Sequence, residues 1–375
     1  MKNLRVIISG GGTGGHIFPA VSIANAVKSI QPDAEILFVG AKGRMEMQRV
    51  PAAGYEIKGL PISGFDRKNL LKNVSLPFKL LRSWAMAWSI LRQFRPQVVV
   101  GVGGYASYPT LKVASWMGIP TLIQEQNSFA GKANIQLAKN AARCCVAFEG
   151  MERFFPADRI MLTGNPVRKQ MLQTTLTREQ AVASLGLNPE KKTVLIVGGS
   201  LGARTLNEAV MAHLDDISAS GVQFVWQTGK YYYASIQDEL KVKGQPENLK
   251  PTDFITDMGA AYRAADLVIS RAGASSVSEF CLIGKPVIMV PSPNVTEDHQ
   301  TKNAMALVNK QAALIVRDAD AREQLIGLAI STVQDDAKLQ QLSKNVLKLA
   351  LPDSAEIIAK EVIKLKRSSC GLKAI

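Results

Sequence analysis

Val6-Ile7-Ile8-Ser9-Gly10-Gly11-Gly12-Thr13-Gly14 returns 188 residues later as Val194-Leu195-Ile196-Val197-Gly198-Gly199-Ser200-Leu201-Gly202, aligned without a gap. Each copy is a β-branched run, then a glycine turn, then residues with helical spacing. Each half of the chain therefore opens as a Rossmann-like unit does, with strand, turn and helix. Working outward, strands are expected at 4–8, 36–40, 97–101 and 120–124, and again at 193–197, 223–227, 267–270 and 286–290. Helix-like stretches separate them, which is the alternation of a parallel α/β sheet. The pattern pauses at Gly164-Asn165-Pro166. The expected architecture is α/β: two Rossmann-like parallel-sheet domains, 1–166 and 167–352, facing across a cleft. A C-terminal helix in 353–375 is expected to return to the first domain.

The 375 residues are 47% hydrophobic and 20% charged, enough for two cores and far from a disordered composition. Net charge is +14, and it is unevenly placed. Residues 1–166 hold 20 Lys/Arg against 9 Asp/Glu, and the remainder 25 against 22. The first half thus seeks an anionic partner: nucleic acid, a phosphorylated substrate or an acidic membrane surface. No recognised nucleic-acid motif accompanies the charge, so nucleic acid is the weaker reading. Four cysteines without CxxC spacing and only three histidines argue against a disulfide framework or a structural zinc site. The opening MKNLRVIISGGG is too short an apolar run for a signal-peptide core, and nothing is long and apolar enough to span a membrane. A reduced, cytosolic setting is expected.

Gly10–Gly15 formally satisfies GxGxxG after a strand. A dinucleotide would need an acid at the end of the second strand, which instead reads Phe38-Val39-Gly40-Ala41. A nicotinamide cofactor is disfavoured, and what survives is a glycine turn offering N–H groups to an anion at a helix start. A second cluster, Gly101-Val102-Gly103-Gly104-Tyr105, follows another strand, and either glycine run could equally serve tight packing. His16 follows the first loop, where it could take a proton near neutral pH or simply cap its own turn. In the second half, Gly198-Gly199-Ser200 and the small-residue stretch Arg271–Ser278 could hold a diphosphate, with Glu279 placed for ribose hydroxyls or for the helix dipole alone. Asp318-Ala319-Asp320 is a DxD pattern, common in solvated loops, and no metal role is assigned to it.

Seven motifs occur in order: GGTGGH (Gly11–His16), GVGGY (Gly101–Tyr105), EQN (Glu125–Asn127), GNPVR (Gly164–Arg168), GGSLGA (Gly198–Ala203), VSE (Val277–Glu279) and DHQ (Asp298–Gln300). Together they resemble the MurG family, the bacterial N-acetylglucosaminyltransferases that make lipid II. The resemblance implies a GT-B fold and an inverting, metal-independent transfer with no cofactor. N-acetylglucosamine would pass from UDP-N-acetylglucosamine to the 4-hydroxyl of the muramyl sugar of lipid I. By the same resemblance Ile255 would read uracil through its backbone, and Glu279 would hold the ribose. Ser200 with Ala274, Ser275, Ser276, Val277 and Ser278 would hold the diphosphate, aided by Arg168. Asn127 and Gln300 would contact the sugar. Thr13, Gly14 and Gly15 would border the donor, and Gly14, Gly15, Gly103, Gly104 and Tyr105 the acceptor. His16 would be the general base. Leu201 and Gln124 depart from the Gln and His usual in the family. The remaining alternatives are a related transferase with another lipid acceptor, a nicotinamide oxidoreductase and a basic binding module.

Between Arg67 and Arg95 stand seven basic residues and no acid. Leu80, Trp84, Trp88 and Leu91 recur there at helical spacing, which suits either the bilayer or the core. With a lipid-linked substrate, docking on the anionic cytoplasmic face of the inner membrane is expected, through Lys72, Lys79, Arg82, Trp84 and Trp88.

Overall fold

The computed structural model describes residues 3–64, 70–167, 174–199 and 201–366. The chain divides into two compact units, Met1–Val167 with Leu351–Ile375, and Arg168–Ala350.

In the first unit, β1 (Arg5–Ser9), α1 (Gly14–Ile30), β2 (Glu35–Ala41), α2 (Glu46–Ala52), β3 (Glu56–Leu60), α3 (Leu76–Phe94) and β4 (Val98–Gly101) are followed by α4 (Ser107–Trp116), β5 (Thr121–Glu125), α5 (Lys132–Ala138), β6 (Arg143–Val146) and β7 (Ile160–Leu162). The sheet order is β3-β2-β1-β4-β5-β6-β7, and its pairings are parallel. Central strands such as Val98–Gly101 are buried along their whole length because helices cover both faces.

The second unit carries α6 (Arg178–Ser184), β8 (Thr193–Val197), α7 (Arg204–Ala212), α8 (Leu214–Ala219), β9 (Gln223–Gln227), α9 (Tyr233–Lys243), β10 (Leu249–Thr252) and α10 (Met258–Ala264). It continues through β11 (Leu267–Ser270), α11 (Ala274–Ile283), β12 (Val287–Met289), α12 (His299–Val308), β13 (Leu314–Ile315), α13 (Ala321–Gln334) and α14 (Asp336–Leu347). Its parallel sheet runs β10-β9-β8-β11-β12-β13. The last helix, α15 (Ser354–Lys364), belongs to the first unit. Its Ile358, Ala359 and Val362 share a core with Ile17, Ile23 and Val27 of α1. Glu361 also accepts a hydrogen bond from Arg143 Nε at 2.9 Å.

Each sheet has the same switch point. Strand order reverses between β1 and β4 in the first unit, and between β8 and β11 in the second. In open α/β sheets ligands bind beyond the carboxyl ends of the strands at this reversal. The loops there are those singled out in the sequence: 10–13 and 102–106, then 198–199 with 201–203, and 271–273.

Candidate active site

In the first unit Thr13 caps α1 with extended backbone, and Gly14, Gly15 and His16 form the first turn. Thr13 Oγ1 lies 3.0 Å from His16 Nδ1. The ring reaches the second glycine loop: a Cβ placed on Gly103, whose φ is +89°, would sit 3.0 Å from His16 Nε2 and 2.8 Å from Cδ2. Only glycine leaves room for that ring. Tyr105 of the second loop lies against the first, since a Cβ on Gly12 would meet its ring at 3.6 Å. His16, Gly103, Gly104 and Tyr105 are thus gathered at one switch point.

Buried amides join the other motifs to it. Gln126 Nε2 donates to Val102 O at 2.7 Å and to Gln124 Oε1. Gln124 Nε2 donates to Asn165 Oδ1 at 3.1 Å, and Asn165 Nδ2 to Gln126 O at 3.0 Å. Glu125, 2% exposed, accepts from the N–H groups of Asn127 and Gly131, both at 3.0 Å, and from Asn134 Nδ2 at 2.9 Å. It shapes the loop that carries Asn127. Buried polar groups of this kind are costly unless satisfied, so the network fixes one loop geometry.

A carboxylate not foreseen from the sequence stands beneath the first loop. Glu46, 1% exposed, accepts the Gly12 N–H at 2.9 Å and the Ala41 N–H at 3.0 Å. No periodicity marks it, because its helix is short and it sits in Gly43-Arg44-Met45-Glu46.

In the second unit α11 starts at Ala274 behind Gly273, and its first turn turns backbone N–H groups toward the switch point. Val277 differs from its neighbours: its side chain is 1% exposed, and its N–H closes onto Gly273 O at 2.9 Å. Ser278 Oγ donates to Ala274 O at 3.1 Å, within the same first turns of the helix. Glu279 Oε2 accepts the Tyr262 hydroxyl at 3.3 Å. Burial, then the Glu279 charge, pushes the Tyr262 phenol well above its ordinary pKa, so it stays a donor. Gln300 Oε1 accepts the N–H groups of Ser292 at 2.8 Å and Ala272 at 3.2 Å, which leaves its amide end to donate. Just before it, Glu297 and Asp298 hold left-handed backbone at φ 58° and 53°, a strained pair of the kind that clusters at functional sites.

The Ile255 N–H donates to Gln227 Oε1 at 2.9 Å. Gln227 Nε2 in turn donates to Gly199 O at 3.0 Å, tying the loops after β8 and β10. Arg168 and Ser200 lie outside the described residues. The DxD pattern is neutralised: Asp318 pairs with Arg271 and accepts Thr205 Oγ1 at 3.1 Å, and Asp320 pairs with Arg317 at 2.5 Å. Cys144 and Cys281 are buried, and burial pushes their thiols up to about 12, as suits packing residues.

The α3 stripe divides. Leu91 is 1% exposed, and Leu80 and Trp84 pack on the core, with Trp84 edge-on to Trp116 at 5.2 Å. Trp84 is thus a core-side residue rather than a surface one. Trp88 is 44% exposed, because each step of four residues advances about 40° around a helix and two steps carry it off the inward face. The outward face instead shows Phe78, Leu81 and Trp88, beside Trp116 of α4 and the cations Lys79, Arg82 and Lys112. The Lys72 side chain lies outside the described residues.

Residues 6–146 match the glycosyltransferase family 28 N-terminal domain, and residues 193–358 the glycosyltransferase family 28 C-terminal domain. A Bacteroides fragilis UDP-N-acetylglucosamine--N-acetylmuramyl-(pentapeptide) pyrophosphoryl-undecaprenol N-acetylglucosamine transferase is 65% identical over 367 residues, covering 98% of this chain and 97% of its own. A Cytophaga hutchinsonii protein of the same name is 52% identical over 364 residues, covering 97% of each. The crystal structure of Acinetobacter baumannii MurG superimposes with a TM-score of 0.78 at 28% identity, over 96% of this chain and 99% of that one. The calicheamicin glycosyltransferase CalG4, at 14% identity and a TM-score of 0.70, shares the fold over 97% of this chain and 98% of its own. The two Rossmann-like units are those of a GT-B fold. Matched through both units and along its length by close relatives, the chain belongs to glycosyltransferase family 28.

Proposed function

We propose that this enzyme transfers N-acetylglucosamine from UDP-N-acetylglucosamine to the 4-hydroxyl of the muramyl sugar of lipid I, forming the β-1,4 linkage of lipid II. The observation that carries the reading is the second unit's switch point. There the α11 start, the Glu279–Tyr262 pair and the Gln300 amide gather what a ribosyl diphosphate and its sugar require. The name of the 65%-identical relative supplies the donor and acceptor. As the bond to UDP breaks, charge grows on the diphosphate, and preorganised helix N–H groups with Arg168 stabilise it without a cation. In the first unit His16 serves as base. Thr13 Oγ1, 3.0 Å from Nδ1, orients the ring, and in the tautomer protonated on Nδ1 the Nε2 lone pair takes the proton of the attacking hydroxyl. Incubation with UDP-N-acetylglucosamine and a lipid I analogue should yield UDP and the disaccharide product. Hydrolysis alone, or transfer only to a different lipid acceptor, overturns the reading.

The same reading includes peripheral docking on the anionic cytoplasmic membrane. Among the described residues no helix is long and apolar enough to cross a bilayer. Support comes from Phe78, Leu81, Trp88 and Trp116, exposed beside Lys79 and Arg82. Each basic residue near an anionic surface contributes about 1 kcal/mol. Lys72/Lys79/Arg82→Glu should therefore release the enzyme from anionic vesicles, and salt should do the same. A folded triple variant that still sediments fully with them defeats the proposal.

A further inference from the structure

Glu46 is a charged group that the transfer mechanism above does not use. It is 1% exposed, and among the described residues no cation pairs with it. Its two oxygens are spent on the Gly12 and Ala41 N–H groups, at 2.9 and 3.0 Å. The loop is built to its shape: a Cβ on Gly11 would sit 2.2 Å from Glu46 Oε1, and one on Gly40 would sit 2.6 Å from its Cγ. Gly12 stands two residues before the start of α1, where N–H groups and the helix dipole favour an anion. The chain has placed an anion of its own there.

We propose that Glu46 is a positioning residue for the acceptor: a built-in carboxylate that closes the inner Gly12 N–H of the first glycine loop to external phosphate. The inference rests on the acceptor reading of Gly14 and Gly15. With Gly12 taken from beneath, the first loop offers an incoming pyrophosphate the N–H groups of the α1 start. The carboxylate repels it from any deeper seat. The lipid-linked pyrophosphate is thereby held outward, in the register that brings the sugar hydroxyl toward His16.

The test uses the full chain with UDP saturating the second unit, titrated with inorganic pyrophosphate in a calorimeter. Removing one nearby charge at intermediate dielectric should tighten pyrophosphate binding about tenfold in Glu46→Ala, and by a smaller factor in Glu46→Gln. In turnover, both variants should lower kcat by about tenfold or more, since a misplaced acceptor loses orientation, while the KM for UDP-N-acetylglucosamine stays within about twofold. Glu46→Gln keeps the volume, so it carries the test if Glu46→Ala fails to fold. Unchanged pyrophosphate affinity in a variant that still binds UDP overturns the proposal. If the wild type proves unable to transfer sugar, the acceptor reading falls, yet the calorimetric result still decides whether Glu46 guards the loop.

Discussion

The two glycine loops begin as the same sentence and end differently. Gly11 and Gly199 are equivalent across the 188-residue repeat. A side chain on Gly11 would strike Glu46, whereas one on Gly199 would meet nothing within 4 Å among the described residues. The first loop is filled from inside by a carboxylate, and the second is held by a neutral amide, Gln227. On the function proposed above, a turn that can bind an anion is used twice: once met by the chain's own charge, once by a ligand's. Strand, turn and helix specify the cradle, and the residue lying beneath it decides who occupies it.

The most severe way to break this contrast is His16→Ala. If the first loop serves the acceptor step, turnover should fall roughly 10²–10⁴-fold while UDP affinity holds. A loss of UDP affinity instead would move the first loop to the donor. Next come the paired glycines. Gly11→Ala should destabilise by about 3 kcal/mol, combining a clash with Glu46 and a strained φ, and Gly199→Ala by about 1–2 kcal/mol from φ alone. Equal shifts in denaturant midpoint would show that Glu46 does not distinguish the loops. Glu279→Ala should weaken UDP binding by about 1–3 kcal/mol, and Tyr262→Phe by roughly 0.5–1.5 kcal/mol through the freed carboxylate. Calorimetry giving wild-type affinity for both would remove that corner from the donor site. The smallest expected effect is none. Activity should survive EDTA, and loss restored by magnesium or manganese would reopen Asp318 and Asp320.

The legible part of the fold was its buried centre. Thr193–Val197, Gln223–Gln227 and Leu267–Ser270 stand as read, because continuous apolar runs leave little choice of register. Pro120 and Pro286 fall just outside β5 and β12, since proline has no N–H for the ladder. Strands β3, β6, β7, β10 and β13 were missed. β3 alternates with polar residues, β13 is two residues long, and β10 contains Pro251, tolerated because that strand lies at an edge. In the site, motif glycines and His16 could be read, but the residues that hold them could not. Glu46, Gln227 and Tyr262 act through contacts between elements distant in sequence, and neither spacing nor composition records such contacts.

The return of α15 to the first unit has a consequence for synthesis. Ser354 follows Val167 by 187 residues, so all of the second unit is translated before the first unit's last helix exists. At about 5–20 residues per second, the nascent first unit waits roughly 10–40 s with the apolar side of α1 uncovered. During that interval Ile17, Ile23 and Val27 lack the Ile358, Ala359 and Val362 that later share their core. A ribosome stalled near residue 350 would therefore present a nearly finished sheet with one greasy flank, a natural substrate for a chaperone.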